Sequence, residues 1–373
     1  MKIAYIASSA IPSKHSTNSV QAMKMCQALS QNGYEVILIA PNGSGTLRGV
    51  DPHEFYGVER TFEIRRGPWV PFKRRSIFYG LYAAMLAKAS RADLVYGRSK
   101  TGSYFSSLLG MPFAIEIHDP PKYPERLFAR LIKRPQLKGI IVTTTALRDF
   151  FVNVRRVPAD LVFAVPNGAD VPAKSPGSIV FRTGKLNVGY VGNLQSGKGM
   201  EVIAELTQRC DWAHFHIVGG TVKDLAHWRK ALDRYANITF YGYLPPAETE
   251  KYRQACEVLL APNQSAVLTH RGKDIGQWTS PLKIFEYMAS GKAILGSDLP
   301  VLREVLQDGT NALLRPPGNI NQWVEGLQEL HKSKGLRKRL GQTAKREFME
   351  KYTWQARAKK VIAFIDSHSK RDN

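Results

Sequence analysis

The stretch LNVGYVGNLQSGKG, residues 186–199, decides the fold. Its first six residues are short and mostly apolar, which predicts a buried strand, and the glycine-rich remainder predicts a turn that opens a helix. Later strands with helices between them are predicted at 214–218, 238–241, 258–261 and 293–296. Such alternation is typical of a parallel sheet covered by helices on both faces.

The first part of the chain carries the same alternation. Strands are predicted at 2–7, 34–40, 94–96, 113–117, 140–143 and 162–165, and helices near 19–32, 76–90, 101–109, 124–133 and 146–152. Residues 172–178, PAKSPGS, have linker composition. We therefore predict an α/β protein with two Rossmann-like, doubly wound domains, 1–172 and 173–350, whose strand ends face a central cleft.

Composition excludes several classes of protein. A chain of 373 residues that is 43% hydrophobic has enough apolar content for two domains. No apolar run approaches the roughly 20 residues that span a bilayer, and the first seven residues are too short for a signal-peptide core. We expect a cytoplasmic protein. Cys26, Cys210 and Cys256 lack paired spacing, so we expect reduced, packed thiols rather than a zinc site or disulfides.

The glycine-rich turn predicts an anion site. Gly192 to Lys198 fits a triphosphatase phosphate loop, but Gly199 stands where that loop needs a hydroxyl for magnesium. Backbone N–H groups at a helix start, together with Lys198, suit a diphosphate instead. The alternative is a glycine turn with Lys198 in solvent.

The second candidate site is the segment SPLKIFEYMASG, residues 280–291. Ser280 is predicted to cap a helix that starts at Pro281 and ends at Gly291, which leaves free N–H groups and a positive dipole end. Lys283 adds charge there, and Glu286 is placed to accept hydrogen bonds from ribose hydroxyls. The alternative is a core helix with Glu286 in water; nothing in it requires a metal.

Residues 280–291 continue as KAILGSDLP (292–300) and EVLQDG (304–309). Together these resemble the donor-site signature of glycosyltransferase family 4, retaining enzymes of the GT-B fold. The resemblance also takes in VPNGAD (165–170), residues 189–199 and YTW (352–354). It implies an acceptor-side domain at 1–172, a nucleotide-sugar-binding domain at 173–350, and a last helix, within 351–373, that crosses back to the first domain.

The resemblance also implies roles for individual residues. Glu286 would bind the nucleotide ribose, the N–H groups around Pro281, Leu282 and Lys283 would hold the distal phosphate, and Lys198 would neutralise the diphosphate beside Gly192 and Asn193. His118 falls where the family has a histidine beside the transferred sugar.

Further polar residues lie near the ends of the predicted strands of the first domain. Arg98, Glu116 and Asp119 are candidates for acceptor contacts, with a structural ion pair as the alternative.

The sequence departs from the family pattern at two positions. Trp278 stands where many members have the first Glu of E-x7-E, which binds a sugar hydroxyl, and Asn193 stands where an Arg is usual. Arg271, Lys273 and Asp274, in the polar loop before Trp278, are candidates to take over sugar recognition.

The net charge of +22 indicates an anionic partner. Residues Trp69 to Tyr82 mix aromatic and basic side chains, which suits the interface of an anionic membrane. Arg126, Arg130, Lys133 and Arg134 form a second basic group. A basic loop over an acceptor cleft is the alternative, and nucleic acid is not expected, because only the first segment interleaves aromatic and basic residues.

These features predict a retaining glycosyltransferase that moves a hexose-type sugar from a nucleoside-diphosphate sugar to a glycan or lipid-linked acceptor. We expect no cofactor and no metal, and a cytoplasmic location at the inner face of the cytoplasmic membrane. The alternatives are a sugar-nucleotide epimerase of the same architecture and a non-enzymatic protein that binds nucleotides or nucleic acid. The base, the sugar and the acceptor stay undetermined.

Overall fold

The structure is a computed structural model that describes residues 1–13, 16–43, 46–67, 75–121, 126–172, 179–268, 272 and 274–369. The chain forms two compact units. The first comprises Met1–Pro166 and Trp354–Asn373, and the second comprises Asn167–Thr353.

The first unit is built on a seven-stranded sheet in which all neighbouring strands are parallel. Its strands are β1 (Lys2–Ile6), β2 (Glu35–Ala40), β3 (Glu63–Arg66), β4 (Leu94–Gly97), β5 (Phe113–Ile117), β6 (Leu137–Val142) and β7 (Val162–Ala164). Its helices up to β7 are α1 (Thr17–Gln31), α2 (Pro52–Tyr56), α3 (Arg75–Ala89), α4 (Lys100–Leu108), α5 (Arg126–Leu131) and α6 (Thr145–Asp149). The strand order β3-β2-β1-β4-β5-β6-β7 changes direction between β1 and β4.

The second unit is built on a six-stranded sheet that is also parallel throughout. Its strands are β8 (Leu186–Val191), β9 (Ala213–Val218), β10 (Ile238–Gly242), β11 (Val258–Ala261), β12 (Ala293–Ser297) and β13 (Leu313–Arg315). Its helices are α7 (Met200–Arg209), α8 (Val222–Ala231), α9 (Thr249–Ala255), α10 (Leu282–Ser290), α11 (Pro300–Arg303), α12 (Ile320–Lys332) and α13 (Lys334–Lys351). The order β10-β9-β8-β11-β12-β13 changes direction between β8 and β11.

The sheet of the second unit separates two hydrophobic cores. Val258 and Leu260 of β11 belong to one core, and Leu259 and Ala261 belong to the other. Successive side chains of a strand point to opposite faces, so this division shows that helices cover both faces of the sheet.

The last helix, α14 (Trp354–Ser369), belongs to the first unit and packs against α1 and β6. Its buried side chains recur at helical spacing and include Trp354, Ala358, Val361, Ile362 and Ile365.

The predicted fold class, with two Rossmann-like doubly wound sheets, is confirmed. Two strands escaped prediction. β3 is an edge strand of sequence EIRR, whose charged side chains do not form an apolar strand pattern. β13 is only three residues long. Cys26, Cys210 and Cys256 are free and buried, as predicted.

Candidate functional site

The glycine-rich turn lies at the change of direction in the second sheet, where ligands of open α/β sheets bind. Gly197 and Gly199 have φ angles of 81° and 96°. A Cβ on Gly197 would lie 2.3 Å from the carbonyl oxygen of Ala266, and one on Gly199 would lie 1.9 Å from that of Pro262. Only glycine fits at these positions, so the turn after β8 packs directly on the segment after β11.

Gly192 and Asn193 shape this turn. The Gly192 N–H donates to the Val218 carbonyl over 2.9 Å. The Asn193 side chain accepts the Gln195 N–H at 2.9 Å, and its carbonyl accepts the Tyr190 hydroxyl at 2.6 Å. Gly199 is the N-cap residue of the helix that follows, α7, and it has no side chain, so the first N–H groups of α7 have no side-chain acceptor.

Two lysines bring positive charge to this turn. Lys283 on α10 is 9% exposed, and its Nζ lies 3.3 Å from the Tyr190 hydroxyl and 4.3 Å from the centre of that ring. Burial lowers the pKa of Lys283 well below its ordinary value, the charge of Lys198 lowers it further, and Glu286 offsets only part of this shift. Burial also lowers the pKa of Lys198.

Neither lysine forms an ion pair within the described residues, because no carboxylate there lies within 4.0 Å of either ammonium group. Two lysines therefore meet at this site without a carboxylate in contact, and the charge of Lys198 disfavours the charged form of Lys283. A bound polyanion would remove this imbalance.

Glu286, one turn further along α10, keeps capacity to accept hydrogen bonds. Its side chain is 30% exposed, and its Oε2 lies 3.4 Å from Nη1 of the buried Arg253. Arg253 is engaged more closely by Glu250, at 2.8 and 3.0 Å. The carboxylate of Glu286 is thus held in place by one long contact and remains open to a ligand.

The predicted start of α10 is wrong by one residue. Pro281 is the N-cap residue, with φ of −68° and ψ of 127°, and no side chain caps the helix. Ser280 instead binds Asn167: its Oγ accepts the Asn167 N–H at 3.2 Å, and its carbonyl accepts the Asn167 side-chain amide at 2.7 Å. The N-terminus of α10, at Leu282 and Lys283, is therefore uncapped by side chains, and the predicted Gly291 C-cap is confirmed with φ of 67°.

The candidates for sugar recognition are described only in part. Arg271 and Lys273 lie outside the described residues. Asp274 uses its Oδ1 to accept the N–H groups of Val267 and Gly276, each at 2.8 Å. These backbone hydrogen bonds lower the pKa of Asp274, and they tie this carboxylate to its own loop.

In the first unit, the acceptor-side candidates meet at the ends of β4 and β5. Glu116 is 4% exposed. It accepts hydrogen bonds from the Tyr96 hydroxyl and from Nε2 of His118, the latter at 2.5 Å. Arg98 donates to Gln21, whose amide lies 3.4 Å from Nδ1 of His118. Asp119 follows His118 at the same strand end.

This network fixes the state of the His118 ring. Burial, followed by the charge of Arg98, lowers the pKa of His118 to about 4. The ring is therefore neutral at pH 7, with its proton on Nε2 toward Glu116 and with Nδ1 accepting from Gln21. Both ring nitrogens are engaged, and the contact to Gln21 is the longer one.

Sequence reasoning missed Arg357, which completes this cluster. Arg357 on α14 is 2% exposed, its Nη2 lies 3.0 Å from Oε1 of Glu116, and its Nε donates to the Pro166 carbonyl. Burial alone would raise the pKa of Glu116, but Arg357 and His118 outweigh burial and hold that pKa below its usual range. An arginine on the apolar face of an amphipathic helix was the available signal.

The described ranges contain neither a metal-binding cluster nor a membrane-spanning helix. There, no group of three or more His, Cys, Asp or Glu side chains is arranged to hold a metal ion. None of the helices in the same ranges is both long and apolar enough to span a bilayer.

Comparisons with known proteins match both halves of the chain. Residues 19–172 match the family described as Glycosyltransferase Family 4, and residues 185–333 match the family described as Glycosyl transferases group 1.

Two curated relatives and one solved structure illustrate the likeness. An uncharacterized glycosyltransferase of Methanocaldococcus jannaschii is 26% identical over 48% of this chain and 47% of its own length. A phosphatidyl-myo-inositol mannosyltransferase of Mycobacterium leprae is 28% identical over 54% of this chain and 53% of its own. The chain thus spans about half the length of these relatives. The Anabaena protein HepE, solved in complex with UDP, has a TM-score of 0.71 at 16% identity, with 98% of this chain and 100% of that chain covered.

Proposed function

The chain belongs to the glycosyltransferases, and from that premise we propose that it transfers a hexose-type sugar from a nucleoside-diphosphate sugar to a glycan or lipid-linked acceptor. The observation that carries this proposal is a pair of lysines at the switch point of the second sheet, the half-buried Lys198 and the buried Lys283, that have no carboxylate in contact among the described residues. A diphosphate supplies the missing negative charge, and the uncapped N-termini of α7 and α10 supply N–H donors.

The same groups suit the chemistry of the transfer step. When the bond between the sugar C1 and the phosphate oxygen breaks, negative charge grows on the departing diphosphate. Lys198 and Lys283 stabilise that charge, which is why we propose a reaction that needs no metal. For a retaining outcome, the acceptor oxygen bonds to C1 on the face that the diphosphate leaves, and its proton passes to a departing phosphate oxygen.

We assign the nucleoside to Glu286 and the acceptor to the first unit. Glu286 accepts hydrogen bonds from the ribose hydroxyls. UDP is the first nucleotide to test, because HepE was solved with it. In the first unit, we assign Arg98, Glu116 and Asp119 to the acceptor and His118 to the transferred sugar; a ligand that reaches Nδ1 of His118 would displace the long contact to Gln21.

A ligand screen followed by a transfer assay tests this function. The protein is heated with UDP, GDP, ADP and their hexose conjugates, since a ligand at about 100 times its Kd adds roughly 2.7 kcal/mol of stability. Transfer is then followed with glycan and lipid-linked acceptors. Glu286→Gln should lower kcat/KM about tenfold through one weakened charged hydrogen bond, whereas Glu205→Gln, on the exposed side of α7, should not. The proposal would be refuted if none of the nucleotide sugars stabilised the protein, or if an epimer formed without acceptor.

We further propose that the acceptor side docks on an anionic membrane through α3. Five of its large apolar side chains, between 36% and 58% exposed, form a strip along the helix: Ile77, Phe78, Leu81, Tyr82 and Met85. α3, its neighbour α4, and α5, which packs against α4, contain basic residues and no Asp or Glu. Apolar side chains beside basic ones fit an anionic bilayer surface. The rest of the predicted membrane segment, residues 69–74, lies outside the described residues.

Vesicle sedimentation tests the membrane contact. At low salt the protein should sediment with vesicles that contain anionic lipid, and a double substitution, Leu81→Glu with Met85→Glu, should abolish this. Val222→Glu is the matched control, because Val222 is an exposed apolar residue of the second unit. Equal sedimentation of all three proteins would exclude α3 as the docking surface.

A further inference from the structure

Buried polar atoms without a partner gather at one edge of the second sheet. Among the described residues of the second unit, these atoms are Nδ2 and Oδ1 of Asn263 and Oγ of Ser297. Asn263 is 2% exposed and Ser297 is 0% exposed, so water does not satisfy them from the surface.

Both residues lie at or just after the carboxyl ends of neighbouring strands. Ala261 of β11 is in register with Gly296 of β12. Ser297 is the next residue on β12, and Asn263 comes two residues after Ala261. The carboxyl ends of parallel strands are where an open α/β sheet binds its ligand.

The neighbours of Asn263 tie it to the lysine site. The carbonyl of Pro262, on one side, packs against Gly199. The N–H of Gln264, on the other side, donates to the carbonyl of Gly197 over 3.0 Å. Gly197 and Gly199 flank Lys198, so Asn263 lies beside the turn that carries this lysine.

Asn237, in the same unit, is a buried amide with a purely structural role and serves as a comparison. Asn237 is 6% exposed, and its Nδ2 lies within 3.1 to 3.3 Å of the carbonyl oxygens of Thr207, Cys210 and Ala213. A buried amide without partners is costly, so its presence at a ligand-binding edge of the sheet indicates a partner that the ligand supplies.

We propose that Asn263 binds a hydroxyl group of the transferred sugar, with Ser297 as a second contact on the neighbouring strand. The amide offers a donor and an acceptor together. A sugar hydroxyl also donates and accepts, whereas an ionised phosphate only accepts. This assignment rests on the proposed sugar transfer, and it supplies a sugar contact in a chain that has Trp278 where the family has its first glutamate.

The test compares Asn263→Leu with Asn237→Leu, the same substitution at two buried amides of one unit. Unfolding without ligand is measured first. Affinity is then measured by calorimetry for UDP and UDP-glucose, for GDP and GDP-mannose, and for ADP and ADP-glucose. Asn263→Ala repeats the measurements in case leucine does not fit the site.

Asn263→Leu should leave the stability of the free protein unchanged or raised, because it removes two unsatisfied groups. It should weaken binding of the nucleotide sugar by about 10- to 100-fold and binding of the bare diphosphate by less than about threefold. Asn237→Leu should do the reverse, with a less stable free protein and unchanged affinity for the sugar conjugate.

Three results would overturn the inference. One is unchanged affinity of both Asn263 variants for the sugar conjugate. Another is an equal loss for diphosphate and conjugate, which would place Asn263 at the nucleotide. The third is destabilisation of the free protein by Asn263→Leu to the extent seen for Asn237→Leu. If the unaltered protein binds diphosphates but none of the conjugates, the proposed function itself fails, and this outcome is separate from the other three.

Discussion

Both units bury a charged side chain near the carboxyl ends of their strands, Glu116 in the first and Lys283 in the second, but the two have different partners. In the first unit, Glu116 has partners in Arg357, His118 and Tyr96. In the second unit, Lys198 and Lys283 face each other's charge without a carboxylate partner in the described part of the chain.

The difference separates two uses of buried charge. A network in which each charge has its partner holds side chains in one geometry, as it does for the His118 ring. A site that lacks counter-charge is complete only when a ligand brings it. We therefore expect substitutions in the first cluster to act mainly on stability, and substitutions in the second to act mainly on binding.

The largest effect should come from breaking the balanced cluster. Arg357→Met leaves the carboxylate of Glu116 buried without its main partner, so the free energy of unfolding in urea should fall by about 3 to 5 kcal/mol. Lys359→Met, on the exposed side of α14, should change it by less than about 0.5 kcal/mol. Adding Glu116→Gln to Arg357→Met should restore part of the loss. An unchanged stability for Arg357→Met would show that the cluster is not a balanced unit.

The next effect should come from the unbalanced site. Lys283→Met removes a charged hydrogen-bond donor, so affinity for the nucleoside diphosphate should fall by about 10- to 100-fold. Stability without ligand should stay the same or rise, because a buried cation is lost. Lys223→Met, at an exposed lysine of the same unit, is the control for both measurements. If Lys283→Met destabilised the free protein and left its affinity for the nucleoside diphosphate unchanged, the role of Lys283 would be structural and the expected difference between the two units would be wrong.

A smaller effect should appear as pH dependence. The pKa of His118 is lowered to about 4 in the folded protein, against about 6.5 in an unfolded chain. As the pH falls, His118 therefore takes up a proton in the unfolded chain before it does so in the folded protein. This difference lowers the free energy of unfolding by about 2 kcal/mol between pH 7 and pH 5. Urea unfolding of His118→Gln should lack this part of the slope, whereas His227→Gln, at an exposed histidine, should keep it. Parallel slopes for all three proteins would contradict a buried neutral His118.

Local chemistry made the two sheets and the α10 segment predictable. The glycines at 197, 199 and 291 adopt the left-handed conformations that their positions require, and such requirements are visible in sequence. The start of α10 was misplaced because Ser280, a good capping residue, is taken by Asn167, a partner that is 113 positions away.

Partners that are distant in sequence account for what could not be predicted. Lys283 was expected at a helix start, but its burial depends on Tyr190 of β8. Arg357 and Glu116 are 241 positions apart in the chain, and no periodicity of the sequence predicts that they pair. Asn263 follows an ordinary apolar strand, and its lack of partners is a property of packing alone.

The distance in sequence between Glu116 and Arg357 also sets an order of events during synthesis. A ribosome adds roughly 5 to 20 residues per second, so Glu116 exists for roughly 10 to 50 s before the arginine 241 positions later is made. Over that interval the carboxylate must stay hydrated or take up a proton, and the end of β5 cannot close around it. The sheet can form early, but the His118 cluster reaches its final arrangement only once α14 has left the ribosome.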